Sequence, residues 1–417
     1  MNVKTLTFFS NYFNHHQKAL CDAWYAILRD GFTFVETMPM EGFRSGMGWG
    51  EEDPPYLLRT YESEASYQKA LKLAEGSDLV VMGTAPESFI EKRLQQDKIV
   101  FRYSERPLKE GFIKFFIPRL TKKYIRMHIQ NRKKPVYILG ASAFTSLDYH
   151  KMFRSYEGRC YRFGYFPEIF TYDTDALMAD KAARAGKIPT ILWMGRMLKL
   201  KHPDLLLKAL AGLKAEGYAF RLKMVGEGEE RKHVEELAGH LGLLEETEFC
   251  DFYKPREARE IMAQAQIYVM TSDKLEGWGS VIYEAQNAAC AQIASHVCGA
   301  TPWLVKHGKS GLIFESGSVS DLREQLKVLL DEPERIRTYG LNAYAQMQDL
   351  WNPETAAARV IKLAEYIDAK LAEMTEEQRK ACGYAVEGSP FAEGPCSVAP
   401  FLKNNWIREK GKDYANP

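Results

Sequence analysis

The chain has 417 residues, 56 Lys and Arg against 55 Asp and Glu, 46% hydrophobic and 27% charged residues. That length fits two domains of ordinary size, each able to bury most of its apolar surface, and the balanced charge excludes a global pull toward nucleic acid. The cysteines, at 21, 160, 250, 290, 298, 382 and 396, form no C-x-x-C pair and no zinc-spaced set with histidine, which argues against structural disulfides and a metal site.

The opening MNVKTLTFFSNYFNHHQ carries too short an apolar run for a signal peptide, and no stretch reaches membrane-spanning length, so a cytoplasmic protein is expected. VKTLTFFS, DLVVMGT, KIVFRYS and PVYILGAS read as buried strands. With the helical stretches HHQKALCDAWYAILRDG and ASYQKALKLAEG between some of them, they predict a doubly wound Rossmann-like domain over 1–170. Two features of this half are chemically suggestive. Asn14, His15 and His16 begin the first helix at a strand's carboxyl end, where a histidine can serve as base or hydrogen-bond donor; the same residues also suit a capped helix start with one exposed ring. The segment 114–135 is dense in Lys and Arg and has no acid. From Arg119 on, Leu120, Tyr124 and Met127, with Ile117, can share one helix face ringed by Lys122, Lys123 and Arg126, a pattern that fits an anionic membrane surface or an ordinary helix with its stripe in the core.

A hinge is expected in the segment 162–187, whose start bears Gly164 and Pro167 and whose end is polar and basic, and is placed at 171–187. From 188 to 350 short apolar runs alternate with amphipathic ones, the mark of a second parallel sheet. IPTILWMG, FRLKMVG, TEFCDF, IYVMTS and AQIASHV read as strands, and HPDLLLKALAGLKAEG, EERKHVEELAGHLG, PREAREIMAQA, GSVIYEAQNAAC and SVSDLREQLKVLLDE as helices. Residues 351–374 form a long helix opened by Pro353, expected to cross back to the N-terminal domain, and 375–417 read as an extended, loosely attached tail.

In an open α/β sheet, ligands bind beyond the carboxyl ends of the strands, so the loops after ILWMG, LKMVG and YVMTS should line one crevice. Gly195-Arg196 leaves the first strand and Lys201 precedes the next helix. Two cations near a helix N-terminus suit a diphosphate, although a solvated surface loop can look the same. In DKLEGWGSVIYEAQNAAC, Gly277 and Gly279 let the backbone approach a ligand and Ser280 starts a helix. Val281, Ala285 and Ala288 should pack inward, with Ser280, Glu284 and Asn287 on another stripe. Glu284 could then accept both hydrogens of a ribose diol while Glu276, in the loop, reaches sugar hydroxyls. Each acid could equally belong to a solvated face or turn.

This order of motifs resembles the retaining glycosyltransferases of family 4, which have two Rossmann-like domains facing a cleft, the GT-B fold. The motifs are Gly195-Arg196, Lys201, Gly226-Glu227-Gly228, and Glu276-Gly277-Trp278-Gly279 through Glu284, followed by Gly299, Pro302, Gly308 and Gly311. The likeness is close over 186–370 and holds only in outline before that. It implies transfer of a sugar from a nucleoside diphosphate sugar to a hydroxyl of a glycan or lipid-linked acceptor, without a cofactor or a required metal. Arg196 and Lys201 would hold the diphosphate, Glu284 the ribose and Glu276 the transferred sugar. Gly195, Gly226, Gly228, Phe252, Gly277, Trp278, Gly279, Ser280 and Val281 would shape the donor site. The chain departs from the family at Ser10-Asn11-Tyr12, where a glycine pair is usual, at Asp251, and at Ser104-Glu105-Arg106, where a histidine is usual. Ser104, Glu105 and Arg106 therefore join Asn14, His15 and His16 as acceptor-side candidates. A noncatalytic nucleotide-sugar-binding subunit, or a GT-B epimerase or phosphorylase, would keep the same diphosphate site.

Overall fold

The computed structural model describes residues 1–40, 53–186 and 188–409. They fall into two compact units, Met1–Glu168 with Leu350–Leu402, and Ile169–Asp349 with the segment that starts at Lys403. Each unit is built on one parallel sheet.

The first unit's sheet has seven strands: β1 (Leu6–Ser10), β2 (Phe32–Glu36), β3 (Leu57–Arg59), β4 (Leu79–Met82), β5 (Val100–Ser104), β6 (Val136–Gly140) and β7 (Cys160–Arg162), in the order β3-β2-β1-β4-β5-β6-β7. Residues of β1, β4 and β6 are buried throughout, as expected where helices cover both faces of a parallel sheet. The helix Pro353–Ala372, capped by Asn352, belongs to this unit and packs on the helix His15–Leu28, where the Trp24 indole donates to the Ala357 carbonyl at 3.1 Å.

The tail does not hang loose. Residues 396–399 add an antiparallel segment to the edge of β7, with Arg162 N–H donating to Ser397 O at 2.7 Å and Ala399 N–H to Cys160 O at 2.9 Å. An open sheet edge exposes unpaired peptide groups, and the tail satisfies them. Beyond Leu402 the chain joins the second unit, where the buried Trp406 donates its indole N–H to His296 O at 3.1 Å.

The second unit's sheet has six strands: β8 (Thr190–Met194), β9 (Arg221–Val225), β10 (Thr247–Cys250), β11 (Ile267–Met270), β12 (Ala291–Ser295) and β13 (Gly311–Phe314), in the order β10-β9-β8-β11-β12-β13. Both sheets therefore run third-second-first-fourth from one edge, the doubly wound order, and the direction in which strands are added reverses at β1/β4 and at β8/β11. The crossing between units falls within the expected segment 162–187 but ahead of the bounds 171–187. Within 171–187 lies the helix Thr174–Ala185, capped by Asp173 and buried through Leu177, Met178 and Lys181. The chain instead passes between units at Glu168/Ile169. The polar residues read as a linker are the solvent face of this helix. Its buried ammonium, on Lys181, is satisfied by the carbonyls of Met262 and Ala265 and by Cys290 Sγ at 3.6 Å.

Candidate functional site

The site grows from the β8/β11 switch point. β8 and β9 are in level register, Met194 opposite Val225, so the loops that leave them start side by side. Gly195 N–H donates to Val225 O at 3.0 Å, Met197 N–H to Glu227 O at 2.7 Å and Glu230 N–H to Met197 O at 2.9 Å. This lacing leaves no room for a Cβ at two positions of the second loop. Gly226 (φ +130°) and Gly228 (φ +150°) sit where a Cβ would overlap the carbonyl oxygens of Gly195 and Met197. Gly226→Ala should therefore cost on the order of 2–3 kcal/mol and lower the thermal midpoint by about 5–10 °C. Gly217→Ala, at a left-handed glycine (φ +89°) with open space around its Cβ, is the control and should cost about 1 kcal/mol. Equal midpoints for the two variants would show that the lacing is loose.

Arg196 is exposed, and no ion pair or side-chain hydrogen bond engages it among the described residues. Lys201 closes the short 3₁₀ turn Lys199–Lys201 and forms an ion pair with Glu276 from the loop after β11; both side chains are 14% exposed. The two loops are tied together elsewhere as well. Thr271 Oγ donates to Lys201 O at 2.6 Å and accepts from the Trp193 indole at 2.9 Å, and Asp273 N–H donates to Leu200 O at 2.9 Å. His202 follows Lys201 in a left-handed conformation (φ +45°), its Nε2 3.3 Å from Asp273 Oδ2. Gly279 (φ +92°) turns the chain into the helix Ser280–Asn287, whose first-turn amides point out of its N-terminus. Trp278 is buried, its ring 5.9 Å from that of Trp303, and its carbonyl accepts from Ala300 N–H at 2.9 Å.

On that helix the inward stripe is wider than its spacing suggests. Ala285 and Ala288 are buried, but so are Ile282, Tyr283, Gln286 and Asn287, while Val281 is only half-buried. Asn287 is no edge residue: its side-chain amide pairs with both peptide groups of Phe170, at 2.8 and 2.9 Å. Glu284 is 15% exposed and accepts from Arg259 at 3.3 Å. Phe252 stands apart, half exposed after β10 at the sheet's outer edge, next to Asp251, whose carboxylate lies 3.8 Å from Arg231. Sequence reasoning missed Arg259, His202, Asp273 and Cys298. Only the non-glycine residue in a tight turn before Pro203 hinted at His202. The Cys298 thiol is pushed up by burial first and by the nearby Glu276 carboxylate second, which makes it a packing group and not a nucleophile.

In the first unit Asn14 is the helix cap, its side chain accepting from His16 N–H at 2.9 Å, and the half-buried rings of His15 and His16 lie 3.9 Å apart. Ser104 Oγ donates to Glu105 O at 2.8 Å and shares a 2.9 Å hydrogen bond with Tyr149 Oη; Glu105 accepts from Tyr165 Oη at 2.9 Å. Arg106 is not offered to a ligand. It is buried, neutralises Asp148 through two 3.2 Å contacts and lies over the Phe144 ring at 5.0 Å, so its charge is spent inside the unit. Among the described residues no three His, Cys, Asp or Glu side chains are grouped to hold a metal ion.

Residues 176–346 match the family model for glycosyl transferases group 1. A GDP-mannose-dependent alpha-(1-6)-phosphatidylinositol monomannoside mannosyltransferase of Mycobacterium tuberculosis is 28% identical over 209 residues, 47% of this chain and 53% of that protein. A D-inositol 3-phosphate glycosyltransferase of Corynebacterium aurimucosum is 31% identical over 231 residues, 52% of this chain and 53% of that protein. The chain thus spans about half the length of the curated relatives it matches. In three dimensions it is similar to HepE of Anabaena in complex with UDP, with a TM-score of 0.61 at 15% identity, over 89% of this chain and 100% of that one. With two doubly wound units the chain has the GT-B type of fold, and its residues 176–346 match the glycosyl transferases group 1 domain.

Proposed function

We propose that the protein transfers a sugar from a nucleoside diphosphate sugar to a hydroxyl of a glycan or lipid-linked acceptor, with retention at the anomeric carbon, in the synthesis of cell-surface glycans or glycolipids. One observation carries this reading: Arg196, the Lys201–Glu276 pair and a helix N-terminus flank the β8/β11 switch point, with Glu284 four residues into that helix. Cations and helix-end amides there can stabilise a departing diphosphate without a resident metal, Glu284 can take the ribose diol, and Glu276 the transferred sugar. The names of the relatives, a mannosyltransferase acting on a phosphatidylinositol mannoside and inositol phosphate glycosyltransferases, favour a glycolipid or inositol-containing acceptor.

A thermal-shift screen against UDP, GDP, ADP and dTDP finds the base, since a ligand at a hundredfold over Kd adds about 2.7 kcal/mol. The matching sugar donors are then assayed with phosphatidylinositol and inositol phosphate acceptors. Acceptor-dependent release of nucleoside diphosphate supports transfer. Donor binding without turnover points to a binding subunit, and phosphate-dependent release of sugar phosphate, or epimerised donor, to the other GT-B chemistries.

The proposal extends to a membrane surface. The segment expected as one helix is broken into a 3₁₀ turn (Gly111–Phe116), a short α-helix (Pro118–Tyr124), a π-turn (Ile125–Ile129) and a second 3₁₀ turn (Gln130–Lys133). Leu120, Tyr124 and Met127 are partly buried, so that stripe faces the unit. Apart from Ile125, the segment's exposed apolar side chains lie just before it: Phe112, Ile113, Phe116 (84% exposed) and Ile117, beside exposed Arg119, Lys122 and Lys123. Apolar groups flanked by cations suit an anionic leaflet, and each basic residue near such a surface contributes about 1 kcal/mol. No helix among the described residues is long and apolar enough to cross a membrane. Sedimentation with phosphatidylglycerol-containing liposomes should show binding at low salt that fades as salt rises, weakens in Phe116→Asp, and is absent with neutral liposomes. Equal partitioning to both, or none to either, would rule the docking out.

A further inference from the structure

We infer that Arg259 is a positioning residue for nucleotide binding, holding the Glu284 carboxylate in the orientation that receives the ribose diol; this rests on the donor site proposed above. Arg259 lies on the helix Pro255–Gln264, and its side chain is 8% exposed. Nη2 donates to Glu284 Oε1 and Nη1 to Asn287 Oδ1, each at 3.3 Å, and Cζ stands 5.3 Å from the Phe170 ring centre. Those partners are themselves fixed. Asn287 pairs with both peptide groups of Phe170, and the Gln348 amide donates to the same Phe170 carbonyl at 3.2 Å. The guanidinium is therefore clamped on three sides and cannot follow a drifting glutamate.

A glutamate near a helix end has several rotamers open to it, and a ligand that must select one of them loses affinity accordingly. Arg259 makes that selection before the ligand arrives. It takes one lone pair of Oε1, and since each carboxylate oxygen has two, Oε1 and Oε2 can still accept one ribose hydroxyl each. With Nη1 held by Asn287 Oδ1, the rigid guanidinium aims Nη2 at Oε1 in a fixed direction, which a lysine's freely rotating ammonium does not. The rival account is that Arg259 merely balances a partly buried charge, in which case nothing about the ribose would depend on it.

The two accounts separate on the ribose itself. Calorimetry would compare UDP and GDP with their 2′,3′-dideoxy counterparts in the wild-type protein, Arg259→Met, Arg259→Lys, Glu284→Ala and the Arg259→Met/Glu284→Ala double variant. For the base that binds, the wild type should prefer the ribonucleotide by about tenfold or more, and Glu284→Ala should erase that preference. Arg259→Met should cut it to about twofold while dideoxynucleotide affinity stays within about twofold of wild type. Arg259→Lys should fall between, and the double variant should be no worse than Glu284→Ala, because the arginine acts only through the glutamate. A full ribose preference in Arg259→Met, or a parallel loss of both nucleotides, would overturn the positioning role and leave a structural one. A ribose preference that survives Glu284→Ala, or is missing from the wild type, would instead remove Glu284 from the ribose site and Arg259 with it. Failure of UDP, GDP, ADP and dTDP alike to bind would refute the donor site as a whole.

Discussion

Replacing Glu276 by alanine is expected to lower kcat by about a hundred- to a thousandfold while leaving affinity for the nucleoside diphosphate undiminished. The two effects part because Glu276 has two partners at different stages. Before a donor binds it is held by Lys201, both side chains being only 14% exposed. On the proposed reading, an arriving diphosphate competes for Lys201 and releases the carboxylate toward the sugar. A contact to the transferred sugar can strengthen as positive charge develops at the anomeric carbon, so its loss falls on kcat, with the size typical of removing one preorganised electrostatic group. Nucleoside diphosphate alone has no sugar for Glu276 to touch. In the variant Lys201 meets it without first leaving a partner, so the dissociation constant should stay level or tighten. Single-turnover kinetics with saturating donor, set beside calorimetry with the diphosphate, measures both. Undiminished kcat would remove Glu276 from the reaction, and a parallel loss of kcat and diphosphate affinity would make it a structural part of the loop.

What could be read from the chain depended on the range of the interaction. Much of the second unit was legible because its strands are short buried runs and its helices carry local signals, Pro203 and Pro255 at helix starts and Ser318 accepting from Asp321 N–H at 3.2 Å, whereas the strand Gly311–Phe314 and the helix Pro333–Asp349 were not among the expected elements. In the first unit β2 was missed because only the 3₁₀ turn Arg29–Gly31 separates FTFVE from the preceding helix. β3 and β7, three residues each, are too short to show a pattern. The tail was misread for a related reason, since the backbone pairing that holds 396–399 on β7 has no side-chain signature. At the candidate site, Gly195, Arg196, Lys201, Glu276 and Glu284 were singled out by spacing and Gly226 by the family resemblance. Their supports were not. Arg259 reaches Glu284 across 25 positions and His202 reaches Asp273 across 71, and neither pairing leaves a trace in local sequence. Arg106 failed in the opposite sense: it looked like a ligand-facing cation until Asp148, 42 positions on, accounted for its charge.

Arg196 and Lys201, which look equivalent in sequence, should behave differently when removed. Arg196 is exposed and has no ionic partner among the described residues, so in Arg196→Ala the diphosphate loses one charge-assisted contact and nothing else changes. Such contacts are worth about 1.5–3 kcal/mol, which predicts a fall in nucleoside diphosphate affinity of about one to two decades. Lys201→Ala removes a similar contact but also leaves the Glu276 carboxylate unpaired and largely shielded from water beside the proposed diphosphate position. Repulsion at short range in a partly desolvated site adds to the lost attraction, so this variant should bind more weakly than Arg196→Ala. The Lys201→Ala/Glu276→Ala double variant should then recover part of that affinity, because both the missing cation and the stranded anion are gone. Residues in direct ionic contact couple by about 0.5–3 kcal/mol, whereas pairing Arg196→Ala with Glu276→Ala should be close to additive. Calorimetry on the wild type, the three single variants and the two doubles, at low and at high salt, measures both couplings. Additivity between Lys201 and Glu276, or weaker binding by Arg196→Ala than by Lys201→Ala, would show that the ion pair does not govern entry of the diphosphate and that the two cations are held in some other arrangement around it.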